Sequence, residues 1–93
     1  MEKISFEEFL LREGRYNGVV FDEYEDGEII FTTYTNRVPN GKIWREKNGK
    51  LLFEGNMKNG LRDGIEKDYS NDNFNVIYIY ENGKLLSIKK EKK

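Results

Sequence analysis

A period of twenty-three residues runs through this chain. Asn59-Gly60-Leu61-Arg62-Asp63-Gly64 has a shifted copy in Asn36-Arg37-Val38-Pro39-Asn40-Gly41. Another stands in Glu13-Gly14-Arg15-Tyr16-Asn17-Gly18, and Asn82-Gly83-Lys84-Leu85 begins a fourth. Gly18, Gly41 and Gly64 are in phase, as are Gly14, Gly60 and Gly83. A fixed period of this length marks a stacked array of one supersecondary unit.

Each unit reads as two strands. Lys42 to Lys47 is one, Asn48-Gly49 is a two-residue turn, and Lys50 to Met57 returns. Asn-Gly is a strong hairpin signal because both positions tolerate positive φ. The first copy runs Val19 to Tyr24, turns at Asp26-Gly27, and returns over Glu28 to Thr35. The third runs Ile65 to Tyr69, passes a looser Ser70–Asn73 connection, and returns over Phe74 to Glu81; Lys84 to Ile88 follows. The Asn59–Gly64 motif is read as the crossing between hairpins. Before the repeats, Ser5-Phe6-Glu7-Glu8 has the form of a capping box. Phe6, Phe9 and Leu10 fall on one helical face, and Gly14 ends the run. This predicts a short helix over about residues 6–12, with a strand as the competing reading. The expected fold is mainly β: an antiparallel β-meander of three 23-residue hairpin repeats with a short N-terminal helix. One domain spans residues 1–93, divided into a helical cap (1–13), the repeats (14–88) and a basic tail (89–93).

The strands and turns resemble the MORN-type repeat. Asn59-Gly60-Leu61-Arg62-Asp63-Gly64 matches its Asn-Gly-x-x-x-Gly junction best. Gly41-Lys42-Ile43-Trp44 supplies the aromatic after a junction, and Met57-Lys58-Asn59-Gly60 and Tyr80-Glu81-Asn82-Gly83 supply strand endings. The likeness is nearer to the bacterial variant of YwqK-type antitoxin-like proteins than to the eukaryotic membrane-associated one. Arg37, Pro39 and the glycine-free Ser70–Asn73 depart from the pattern. The resemblance implies a repeat scaffold that binds a partner, and leaves the partner open.

Composition narrows the chemistry. There is no Cys and no His. That removes thiolate nucleophiles, the commonest general base and the commonest transition-metal ligand. The glycines form no phosphate cradle. No catalytic set, metal site or cofactor is expected, and the chain is read as a non-enzyme. No transmembrane segment is seen, and a cysteine-free chain fits the cytoplasm.

The net charge of −1 hides a polarised chain. Residues 1–31 hold nine acids and three bases, a net of −6; residues 32–93 hold eight acids and thirteen bases, a net of +5. Such asymmetry bears on partners and encounter rates rather than on fold. The densest acids are Asp22, Glu23, Glu25, Asp26 and Glu28, straddling a hairpin tip. They read either as a solvated tip or as a contact surface for a basic partner. Tyr34, Trp44, Tyr78 and Tyr80 are the aromatics that pack the core or anchor a partner. Direct nucleic-acid binding is not expected, because the bases fall mostly at turn positions such as Lys50, Lys58, Arg62 and Lys84. Lys89-Lys90-Glu91-Lys92-Lys93 reads as a frayed tail, or as a contact for an anionic surface. The functional expectation is a non-catalytic inhibitor that occludes a basic surface of another protein. The partner would be a toxin or a nucleic-acid-targeting enzyme, and the inhibitor antitoxin-like, immunity-like or phage-encoded. The alternative is a structural adaptor with a lipid contact.

Overall fold

The computed structural model describes residues 2–12 and 16–93. Of the described residues 67% are strand and 7% helix, so the mainly-β expectation holds. Among the described residues nine strands form one sheet: β1 (Lys3–Ser5), β2 (Gly18–Glu23), β3 (Glu28–Thr35), β4 (Val38–Lys47), β5 (Lys50–Lys58), β6 (Leu61–Arg62), β7 (Gly64–Asp68), β8 (Phe74–Glu81) and β9 (Lys84–Lys92). The path through the sheet is β1-β2-β3-β4-β5-β7-β8-β9, with β6 paired to β5. These pairs are antiparallel except β1–β2.

The helix α1 (Phe6–Leu11) starts where its cap was read. Ser5 has extended backbone, and its Oγ accepts the Glu8 N–H at 3.1 Å. The second half of the capping box does not form. Glu8 instead pairs with Arg12 one turn on, at 3.1 Å. The segment is helix over residues 6–11, as read, rather than the competing strand; a short strand not anticipated in the sequence, residues 3–5, precedes it and pairs parallel to β2. The helix stop expected at Gly14 lies outside the described residues. Helix α1 packs against β1 and β2. There Ile4, Phe9, Tyr16 and Val20 are buried together, with Tyr34 against them. Phe9 meets Tyr34 at 4.5 Å and Tyr16 edge-on at 5.9 Å. Burying a ring of this size stabilises by about 2–3 kcal/mol, so this small cluster anchors the N-terminal end.

The repeat is a mechanical unit. Asn36, Asn59 and Asn82 all have positive φ and open two-residue turns. Their backbone N–H groups donate to the side chains of Asn17, Asn40 and Asp63 at 3.1, 3.0 and 3.0 Å. The next residue of each turn repeats the pattern: Arg37, Gly60 and Gly83 donate N–H to the carbonyls of Tyr16, Pro39 and Arg62. Each turn is thus latched to the chain nineteen to twenty-one residues before it. The motif read as a crossing is itself a tight hairpin turn, which is why β4 begins at Val38 rather than Lys42. The array remains a continuous meander.

Arg37 occupies the position that Gly60 and Gly83 hold in the other copies. Its φ of 65° lies in the left-handed region, where a Cβ is disfavoured. Its guanidinium compensates. It donates to the carbonyls of Phe9 and Arg12, at 3.2 and 3.1 Å, and lies 4.2 Å over the Phe9 ring. Helix-end carbonyls have no intrahelical partner, so a basic side chain is favourable there. The basic tail is also corrected. Residues 89–92 belong to β9, paired in register with β8, and Lys93 N–H donates to Asn73 O at 3.1 Å.

Candidate partner-binding surface

The β2–β3 hairpin tip gathers the acidic cluster. Asp26 closes the turn by accepting the Glu28 N–H at 2.9 Å, while Tyr24 and Gly27 complete the backbone bonds. Glu23, Tyr24, Glu25, Asp26, Glu28 and Ile30 line an open depression of about 650 Å³. The five acids are not equivalent. Glu28 pairs with Arg45 at 3.3 Å and Asp26 reaches Lys47 at 3.9 Å, both bases coming from β4. Asp22, Glu23 and Glu25 have no ion pair among the described residues. The charge of Asp22, with a smaller contribution from burial, pushes the half-exposed Tyr24 phenol above its ordinary value.

The aromatic candidates fall in three separate places. Tyr34 packs under α1 as part of the core, and burial pushes its phenol up. Trp44 lies on the opposite face, stacked on its cross-strand partner Phe31 at 4.8 Å, with Nε1 donating to Glu46. Tyr78 and Tyr80 lie on the face that carries Ile43, Gly55 and Glu66, as the strand pairing requires. The structure therefore does not assemble the nine sequence-selected residues into one surface. It leaves an acidic tip, a core tyrosine and two distinct sheet faces.

Glu66 is a group the sequence reading missed. Its side chain lies on the sheet over Gly55 and is 2% exposed. A Cβ on Gly55 would sit 2.7 Å from Glu66 Cγ. Burial pushes the Glu66 carboxyl up, opposed by the Arg62 charge 3.3 Å from Oε1. That oxygen accepts no hydrogen bond among the described residues. Glu66 and Arg62, with Ile43, Phe53, Tyr78 and Tyr80, border a groove of about 390 Å³. Only the packing of Glu66 over Gly55 reveals the seat, and no local pattern signals it. On the other face, Tyr69 donates to Glu54 at 2.6 Å, a bond that with burial pushes the phenol up to about 12.

No group of three or more acidic, His or Cys ligands comes together among the described residues. No helix among them is long and apolar enough to cross a membrane. No protein-family model matches the chain, and no curated protein is significantly similar to it.

Proposed function

We propose that this protein is a non-catalytic binding module that blocks a basic surface of another protein, as an antitoxin- or immunity-like inhibitor does. The observation that carries the reading is the β2–β3 tip, where Asp22, Glu23 and Glu25 stand without ion-pair partners among the described residues, around the half-exposed Tyr24. The likeness of the repeats to MORN-type units supports a scaffold role. Complementary charge speeds encounter and fixes orientation more than it adds affinity. The tip is the feature suited to that task, and Glu28 and Asp26 are its struts, tied to β4.

The test begins with affinity capture of a partner by the intact protein. Reversing Asp22, Glu23 and Glu25 to Lys should slow association while leaving thermal stability nearly unchanged, since exposed charges contribute little to folding. Association of the unaltered pair should also slow with added salt, because the Debye length shrinks to roughly 8 Å at physiological ionic strength. Unchanged association kinetics at low salt in the reversed variant would remove the acidic tip from the interface.

A further inference from the structure

We propose that the face formed by β8 and β9 is a binding site for single-stranded nucleic acid. Phe74, Tyr78 and Tyr80 form its stacking platform, and Arg62, Lys90 and Lys92 are its phosphate partners. This site is separate from the acidic tip and does not rest on its role.

Along the sequence the bases lie at turns, away from the rings. The formation of β9 changes that. Lys92 pairs directly with Phe74 and Lys90 with Val76, so both lysines share a face with the β8 rings. Lys90 Nζ lies 4.6 Å over the Phe74 ring, and the Arg62 guanidinium 5.7 Å from the Tyr80 ring. Tyr78 and Tyr80 stand side by side, with centroids 6.4 Å apart and planes 28° from parallel. All three rings are half-exposed, and every residue of β9 is exposed. Helix α1 packs on β1 and β2, at the other end of the sheet. Two acids of the neighbouring strand β7 share this face. Glu66 is buried and paired with Arg62; Asp68 is tied to Ser70.

A row of aromatic rings flanked by cations is the usual means of holding single strands, since every base has a face to stack and every step a phosphate. A duplex hides its base faces and would leave the platform unused. The lysines of the site lie on β9, five strand steps along the sheet from β3, while Tyr78 and Tyr80 share a groove with Ile30 and Thr32 of β3.

The experiment is fluorescence anisotropy with labelled oligothymidylate and oligouridylate, at low and rising salt, on the intact protein. Both single strands should bind, with affinity falling as salt rises. Tyr78→Ala and Tyr80→Ala should each weaken binding about tenfold with little change in salt slope. Lys90→Gln and Lys92→Gln should each lower the log–log salt slope by about 0.7. Chemical-shift mapping on the unaltered protein should place perturbations on β8, β9 and Arg62, a readout that stands even if a tyrosine variant unfolds. No binding at low salt would overturn the proposal. So would equal binding of duplex DNA or polyglutamate, which would mean a general polyanion contact. Capture of anionic phospholipid vesicles with no oligonucleotide binding would overturn it too, and assign β9 to a lipid surface.

Discussion

Replacing Gly55 with alanine tests how the sheet accommodates the fully buried carboxylate of Glu66. Gly55 has no unusual backbone angle, so space rather than φ requires the glycine. The new Cβ would sit 2.7 Å from Glu66 Cγ, about 1 Å inside normal carbon contact. The obstructing atom is in the middle of the side chain, and Glu66 is 2% exposed, so the whole carboxylate must leave its seat. Overpacking of this kind costs about 1–3 kcal/mol. Alanine offsets about 0.5–1 kcal/mol by losing less backbone entropy than glycine. The net expectation is a loss of about 1 kcal/mol, or a Tm lower by about 4–8 °C for a domain of this size. Urea unfolding followed by Trp44 fluorescence measures it. The decisive comparison is the same change made in a Glu66→Ala background. With the obstruction gone, Gly55→Ala should stabilise rather than destabilise, giving a coupling of roughly 1.5 kcal/mol between the sites. An equal loss in both backgrounds would refute the seat.

Other outcomes follow from the same contacts. Burial raises the Glu66 carboxyl, so its proton is held more tightly in the folded state; the stability it confers is full below the ordinary value of 4.5 and is lost as pH rises through the folded value. Glu66→Gln should therefore gain stability over the unaltered protein as pH rises through that window, and a pH-independent difference in Tm would contradict this. Arg37→Ala should cost about 1 kcal/mol by removing the donor from the part-buried Phe9 carbonyl while keeping a strained turn, whereas Arg37→Gly should cost less because the strain is relieved; thermal melts of the two variants rank them. Gly64, at φ 89°, should tolerate valine worse than Lys67, which has ordinary strand backbone. Equal melting temperatures would show that the glycine is dispensable.

Local chemistry was legible in the sequence and long-range placement was not. Glu28–Thr35 and Phe74–Glu81 appear as strands with the bounds read for them, because turn residues mark both ends. Ser5 was readable as a cap because its partner is three residues away. The destination of the Glu8 carboxylate was not, since Arg12 offered a better one. Arg37 was seen only as a departure from the repeat. Its compensation comes from the helix, more than twenty residues earlier in the chain. The acidic cluster was legible as a cluster. Its division into paired Asp26 and Glu28 and unpaired Asp22, Glu23 and Glu25 depends on the β3–β4 register, which brings Arg45 and Lys47 alongside. The basic tail looked frayed because a lysine run has little strand propensity. Pairing with the apolar, aromatic β8 overrides that preference.

The latches between turns also make the molecule a ruler. Each 23-residue unit adds two strands, so one repeat corresponds to a step of about 10 Å across the sheet. A duplicate of residues 41–63, inserted between Asp63 and Gly64, would supply its own Asx side chain and its own turn, so every latch would still find its partner. The acidic tip on β2–β3 and the lysine-rich strand β9 would stay intact, held farther apart by that one step. Deleting a unit would draw them together by the same amount. The separation between the two oppositely charged ends is thus quantised by repeat number, and can be changed without altering either end.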